Sequence, residues 1–285
     1  MPLSTTLVGT KTSPKLHTVD ARSVMAYAAG LSDFNPLYMD TSAHAVIAHP
    51  LFPVCLEWPV ILDTRNLAQN QTLTPQETRR GVHAAHDLHI FQPIRAGDTL
   101  TTTATVIGVR AIKPGAAYTL ELDTRNAATG KLVARTYQLS IYRDVQVSGN
   151  TASQTPTPKP PPGDLQGLTD RFNLEVAQGA AHIYSECAQI WNPIHTDRAT
   201  ALAAGLPDII LHGTATMAMA VSQLINHYAH GDPQCITRIG GRFSAMVLMP
   251  STITVEAKKT GNTVHFQVSN AKGELALSHG FICLT

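Results

Sequence analysis

The sequence of 285 residues has little charge and no long apolar run. Only 14% of it is Asp, Glu, Lys or Arg, and the formal net charge is +1. That balance supplies no basic stripe for nucleic acid or an anionic membrane surface. No run of about 18 apolar residues occurs, so no membrane-spanning helix is expected. The opening MPLSTTLVGTKTSPK lacks the apolar stretch of a secretory signal. Cysteine is sparse: Cys55, Cys187, Cys235 and Cys283 lie far apart, without CxxC or zinc spacing. Reduced core thiols in a cytoplasmic protein are expected. Missing too are GxSxG, a P-loop and a dinucleotide fingerprint. What is plentiful is apolar residues, 44% of the chain, enough for a large core.

One segment, 147–164, is VSGNTASQTPTPKPPPGD, rich in Pro, Ser, Thr and Gly and without a hydrophobic period. It reads as an extended linker. It divides the chain into 1–146 and 165–285, and the two parts resemble each other. YAAGLSDFNPLYMDTSAHAVIAHP matches YSECAQIWNPIHTDRATALAAGLPDIILHG. A helix is predicted after each, over 56–69 and 214–229. Strands follow each helix: 86–111, 116–126 and 130–143, then 236–259, 262–270 and 273–284. The second helix is apolar almost all round and must be buried on most faces, with Met217, Met219 and Leu224 in the core. A sheet curling around one such helix, present twice, predicts an α+β double hotdog: two antiparallel sheets, each wrapped around a central helix.

Asn192, Pro193, His195 and Asp197, followed by Leu211, His212 and Gly213 ahead of a buried helix, stand in one register. With the Arg95–Leu100 turn RAGDTL after Phe91 and Pro93, they resemble the MaoC-like (R)-specific enoyl-CoA hydratases and dehydratases. The resemblance covers nearly the whole chain apart from the termini and the linker. It implies hydration or dehydration of a 2-enoyl or 3-hydroxyacyl thioester, linked to CoA or a carrier. Such chemistry needs a base for water, an acid for C2 and donors for the thioester oxygen. By resemblance His195 is the acid/base, Asn192 orients water or the imidazole, and Gly213 offers its N–H as oxyanion donor. No metal and no cofactor beyond the CoA thioester is expected. The partners are a small acyl thioester and, at most, a second copy of the chain.

The sequence departs from that pattern at Ile190, where the family places an Asp. The first part is damaged differently: it keeps Asp33 and Asn35 but has Tyr38 in the His position and Pro50 in the Gly position. Substitute carboxylates near His195 are Glu186, Asp208 and Asp197. Asp197 reads better as a helix cap, like its counterpart Asp40. Ile190, Trp191, His212, Asp33 and Asn35 are candidates for the substrate walls, with Asp33 and Asn35 also readable as loop-stabilising relics. His83, His86 and Asp87 form a cluster without a further ligand set, so a metal there is not expected. Tyr184 reads as wall or core, Met246 and Met249 as tunnel lining, and Arg238 and Arg242 as partners for CoA phosphates. Other readings stay open: another hotdog reaction on a thioester (hydrolysis, lyase or isomerase chemistry), or an acyl-CoA binder without catalysis.

Overall fold

The computed structural model describes residues 2–67, 73–154, 156–163 and 165–285. Ten strands build one sheet. They are β1 Lys15–Thr18, β2 Gly81–Ile90, β3 Thr99–Ile112, β4 Gly115–Asn126, β5 Leu132–Arg143, β6 Asp170–Val176, β7 Ile236–Phe243, β8 Ser251–Thr260, β9 Thr263–Ser269 and β10 Leu275–Leu284. Their order is β1-β3-β4-β5-β2-β7-β10-β9-β8-β6, so each half repeats the other about the β2–β7 seam. The short strand Ala152–Ser153 adds to β3. The two sheets expected from sequence are thus one continuous sheet. Its seam is antiparallel, pairing Arg238 with His89 and Gly241 with His86. Asp87 on β2 accepts both a 2.8 Å and a 2.7 Å bond from the Arg238 guanidinium across that seam.

The helices are α1 Ala21–Gly30, α2 Pro36–Met39, α3 Pro53–Asp63, α4 Pro75–Arg79, α5 Ala180–Ala188, α6 Arg198–Ala203 and α7 Gly213–Tyr228. The central helices are α3 and α7, and they are unequal. Helix α7 runs 16 residues and buries Met217, Ala218, Val221 and Leu224 on its sheet. Met219, expected in the core, instead packs at its edge and lines a cavity. Helix α3 spans 11 residues, begins before the expected 56–69 and ends earlier. Pro53 suits its first turn, Pro59 sits inside it, and a 3-10 turn at Thr64–Asn66 follows. The rest of the expected helix, 68–69, lies outside the described residues.

Edge strands β1 and β6 were not expected from sequence. Helices α1 and α5 meet at the pseudo-twofold, where the hydroxyls of Tyr27 and Tyr184 stand 3.4 Å apart. The Gly97 backbone at φ 99° makes the turn before β3, a conformation that favours glycine. The 147–164 segment is held at several points: Val147–Ser148 pairs with Leu3–Ser4, and the Lys159 carbonyl accepts from Arg238 at 3.0 Å. Among the described residues no helix is long and apolar enough to cross a membrane.

Candidate active site

The motif Asn192–Asp197 lies between α5 and α6. Pro193–His195 forms a single 3-10 turn, and Asp197 caps α6 by accepting from Ala199 N at 3.0 Å. The capping role read from sequence holds. Its counterpart Asp40 accepts from Ser42 N instead, because no helix follows it. The turn carries His195 into the protein, where its Nδ1–H donates to the Ile210 carbonyl at 2.8 Å. A carbonyl can only accept, so Nδ1 holds the proton and Nε2 keeps its lone pair. Nε2 makes no hydrogen bond among the described residues. Burial holds this imidazole down at about 4, so it is neutral at neutral pH, with the Nε2 lone pair open to accept a proton.

His195 stacks on His212, centroids 3.7 Å apart. His212 Nε2 is 3.2 Å from Ser185 Oγ and 3.4 Å from the Ile190 carbonyl. Burial first, and the neighbouring His195 second, push its pKa well below the ordinary value. Tyr184 stands at the same corner: its ring is 4.9 Å from His212, and its hydroxyl donates to Thr214 at 3.2 Å. Sequence reasoning missed Ser185. The signal was available, because its counterpart in the first half is Ala28.

Gly213 is the first residue of α7, and His212 caps that end without a side-chain bond. The first N–H groups of a helix have no acceptor inside it, so Gly213, Thr214 and Ala215 present free donors beside the imidazoles. A Cβ on Gly213 would stand 2.9 Å from the Phe243 ring. Glycine is therefore required here by close approach. Phe243, on β7, was not singled out from sequence.

Ile190 is buried and belongs to the core. None of the suggested substitute carboxylates serves His195. Glu186 is exposed, Asp197 caps α6, and Asp208 pairs with Arg198 at 3.3 Å. Asn192 accepts from His195 N through its carbonyl at 3.1 Å, while its side chain makes no capping bond. Trp191 is 59% exposed, as is its counterpart Phe34 at 69%. Both aromatics stand on the surface beside their motifs.

The first-half motif is far from His195. Asn35 Nδ2 donates to the Gly231 carbonyl at 2.7 Å, past the far end of α7. Some 13 residues separate Gly213 from Asn226, about 20 Å of helix. Asp33 accepts from Asn35 N at 3.2 Å. Both line a cavity of about 780 Å³ with Met219, Ser222, Gln223 and His230. So the large cavity sits at the damaged motif and not at His195. Oxyanion donors are lacking at this motif: Pro50 and Pro53 have no N–H. Leu51 N is spent on His49 Nδ1 at 3.1 Å, and Phe52 N on the His49 carbonyl. Tyr38, fully buried with its hydroxyl unpartnered, fills the His position.

Two further expectations fail. Arg238 is bound to Asp87 and the linker, so it is not free for a phosphate, whereas Arg242 is exposed on the outer face. Met249 packs on the core and Met246 is exposed, so neither lines the 780 Å³ cavity. Asp87 is tied to Arg238, and among the described residues no three His, Cys, Asp or Glu groups converge on one point.

Residues 6–136 match the FAS1-like dehydratase domain region and residues 168–279 the MaoC-like domain. The peroxisomal enoyl-CoA hydratase 2 of Arabidopsis thaliana is 26% identical over 70% of this chain and 67% of its own. The peroxisomal multifunctional enzyme type 2 of Mus musculus is 23% identical over 72% of this chain but 28% of its own length. A MaoC-like dehydratase from Phytophthora capsici superimposes with a TM-score of 0.83, 20% identity, and coverage of 97% of this chain and 96% of that one. The chain thus carries a FAS1-like dehydratase region followed by a MaoC-like domain, and it has the double-hotdog fold of the MaoC-like proteins.

Proposed function

We propose that the protein hydrates a 2-enoyl thioester, or dehydrates the 3-hydroxyacyl thioester, at the N-terminus of α7. The observation that carries this is the pairing of a neutral, unbonded His195 Nε2 with the free N–H of Gly213 at one corner. Water attacks C3 while His195 Nε2 takes its proton. The electrons of the C2=C3 bond move onto the thioester oxygen, which accepts from Gly213 N–H at the positive end of the helix. The imidazolium then returns the proton to C2, so one imidazole completes the cycle. With Ile190 in the acid's place, the reaction runs on one group where the family uses two. Asn192, whose side chain caps nothing, is the group that orients water.

The names of the relatives, enoyl-CoA hydratase 2 and the multifunctional enzyme, support this class of reaction. Incubation with short, long, branched and carboxylated 2-enoyl-CoA thioesters tests it, by loss of the conjugated absorbance. Turnover is expected, with His195→Ala lowering it by about 10²–10⁴. Binding without turnover of any member would refute it.

Ile190 favours a second reading, a different hotdog reaction on the thioester, since a buried Ile side chain excludes water where the Asp would hold it. Ile190→Asp separates the two. A gain in hydration supports the hydratase, and loss of another native activity supports the second reading.

A further inference from the structure

Beside the proposed centre, across the seam, stand two histidines that the mechanism does not use, His86 buried and His83 half-buried. The pseudo-twofold shows how unusual they are. Strands β2 and β7 correspond position by position, and a register shift falls at the same place in each, His83/Ala85 against Ile236/Arg238. His83 therefore corresponds to Ile236, His86 to Ile239 and Ile90 to Phe243. At the first-half motif, which has no oxyanion donors, the fold fills these places with buried isoleucines. Only on the side of Gly213 and His195 are they imidazoles.

Their placement links them to that site. His86 pairs directly with Gly241 across the seam, so both point to the same face of the sheet. A Cβ on Gly241 would meet Met217 of α7 at 3.3 Å, which puts His86 beneath the first turns of α7. The ring of His83 is 4.8 Å from that of Phe243, which covers Gly213, and 5.4 Å from that of His86. His83 Nε2–H donates to the Ala85 carbonyl at 3.1 Å, which leaves its Nδ1 an acceptor. His86 is 2% exposed, and neither of its ring nitrogens has a hydrogen-bond partner among the described residues. Leaving a buried polar atom unpaired costs about 1–3 kcal/mol. A fold that stabilises Ile at the equivalent positions has no structural need for that cost.

We propose that His83 and His86 form a hydrogen-bonding subsite of this centre, contributed by the other half. A neutral imidazole offers one donor and one acceptor. The matching ligand group must therefore accept from His86 and donate to His83. On a thioester ligand that means a hydroxyl on the acyl chain or an amide of the pantetheine arm. This inference rests on the thioester reading of the site, though not on turnover.

Calorimetric binding of saturated ligands tests it, because they cannot be hydrated: hexanoyl-CoA against its 4-, 5- and 6-hydroxy derivatives. His86→Leu is expected to weaken binding about tenfold, the loss of one hydrogen bond. If the partner is an acyl hydroxyl, only a hydroxylated ligand weakens; if it is a pantetheine amide, all weaken equally. His86→Gln, which keeps a donor and an acceptor, should bind within about threefold of wild type, and His86→Leu should melt no lower than wild type. Unchanged affinity for every ligand in His86→Leu would overturn the subsite while leaving the hydratase reading intact. So would a lower melting temperature in both variants without rescue by Gln. A wild-type protein that hydrates no enoyl thioester yet binds these ligands through His86 would sink the hydratase and leave the subsite.

Discussion

At the scale of single residues, the proposed chemistry turns on one proton. His195 gives Nδ1–H to the Ile210 carbonyl, and burial lowers its pKa to about 4 from an ordinary 6.5. As the pH falls from neutrality the base stays unprotonated until the pH approaches that value. The acid limb of kcat/KM is therefore expected near pH 4–5, and a midpoint at the ordinary histidine value would contradict the buried setting. Gly213 is the other decisive residue. Gly213→Ala keeps the N–H but drives a methyl into Phe243, 2.9 Å away. A loss of about 1–3 kcal/mol in stability is expected from the overpacking, with activity falling as the α7 end shifts. Gly213→Ala combined with Phe243→Leu should recover much of both, as read by denaturant melts and turnover.

At the scale of elements, the two central helices differ in what they offer the proposed chemistry. Helix α7 starts with a glycine and free N–H groups; α3 starts after Pro50, with Pro53 at its first position and His49 absorbing the Leu51 N–H. Helix α3 also buries a carboxyl, Glu57, which accepts from Thr136 Oγ1 at 2.5 Å. Burial pushes it up to about 8 from 4.5. The folded protein keeps that proton up to about pH 8, whereas the unfolded chain releases it above about 4.5. Stability from this group is thus present at low pH and lost as pH rises through that window. Glu57→Gln, which keeps the accepting carbonyl, should stabilise the protein by roughly 1–3 kcal/mol at pH 7.5 and far less at pH 5. Equal urea midpoints for variant and wild type at the higher pH would refute the protonated carboxyl.

At the scale of the whole molecule, the interior holds neutral imidazoles in both halves. Burial lowers His49 and His83 to about 3, and His86 and His195 to about 4. Their folded values lie below the unfolded 6.5. The unfolded chain therefore takes up protons that the folded protein refuses. Stability is full above about 6.5 and falls as the pH drops toward 4, opposite in sign to the Glu57 trend and carried by more groups. Thermal melts should show a steep acid decline across that window. His86→Leu should make it shallower by about one proton, and an unaltered slope would mean that His86 is not neutral in the fold.

How much of this was legible beforehand follows from the range of each interaction. The repeat, the Pro-rich crossover, the two buried helices and the register of Asn192, His195 and Gly213 are local patterns of hydrophobicity and spacing, and the chain alone determined them. So was the damage: Ile190, Tyr38 and Pro50 are visible as letters. Edge strands β1 and β6 were not legible, since short segments paired on one side carry a weak alternating signal. Nor was the order of the continuous sheet, which depends on a seam between residues some 150 apart. Arg238 looked free for a phosphate until that seam gave it Asp87. His83 and His86 read, with Asp87, as a cluster without a further ligand set until the pairing of His86 with Gly241 brought it under α7. Which end of α7 has free donors, which histidine nitrogen is bare and which buried polar groups lack partners are properties of packing between distant segments. Only the tertiary structure decided them, because desolvation and hydrogen-bond pairing depend on what the folded chain brings alongside each residue.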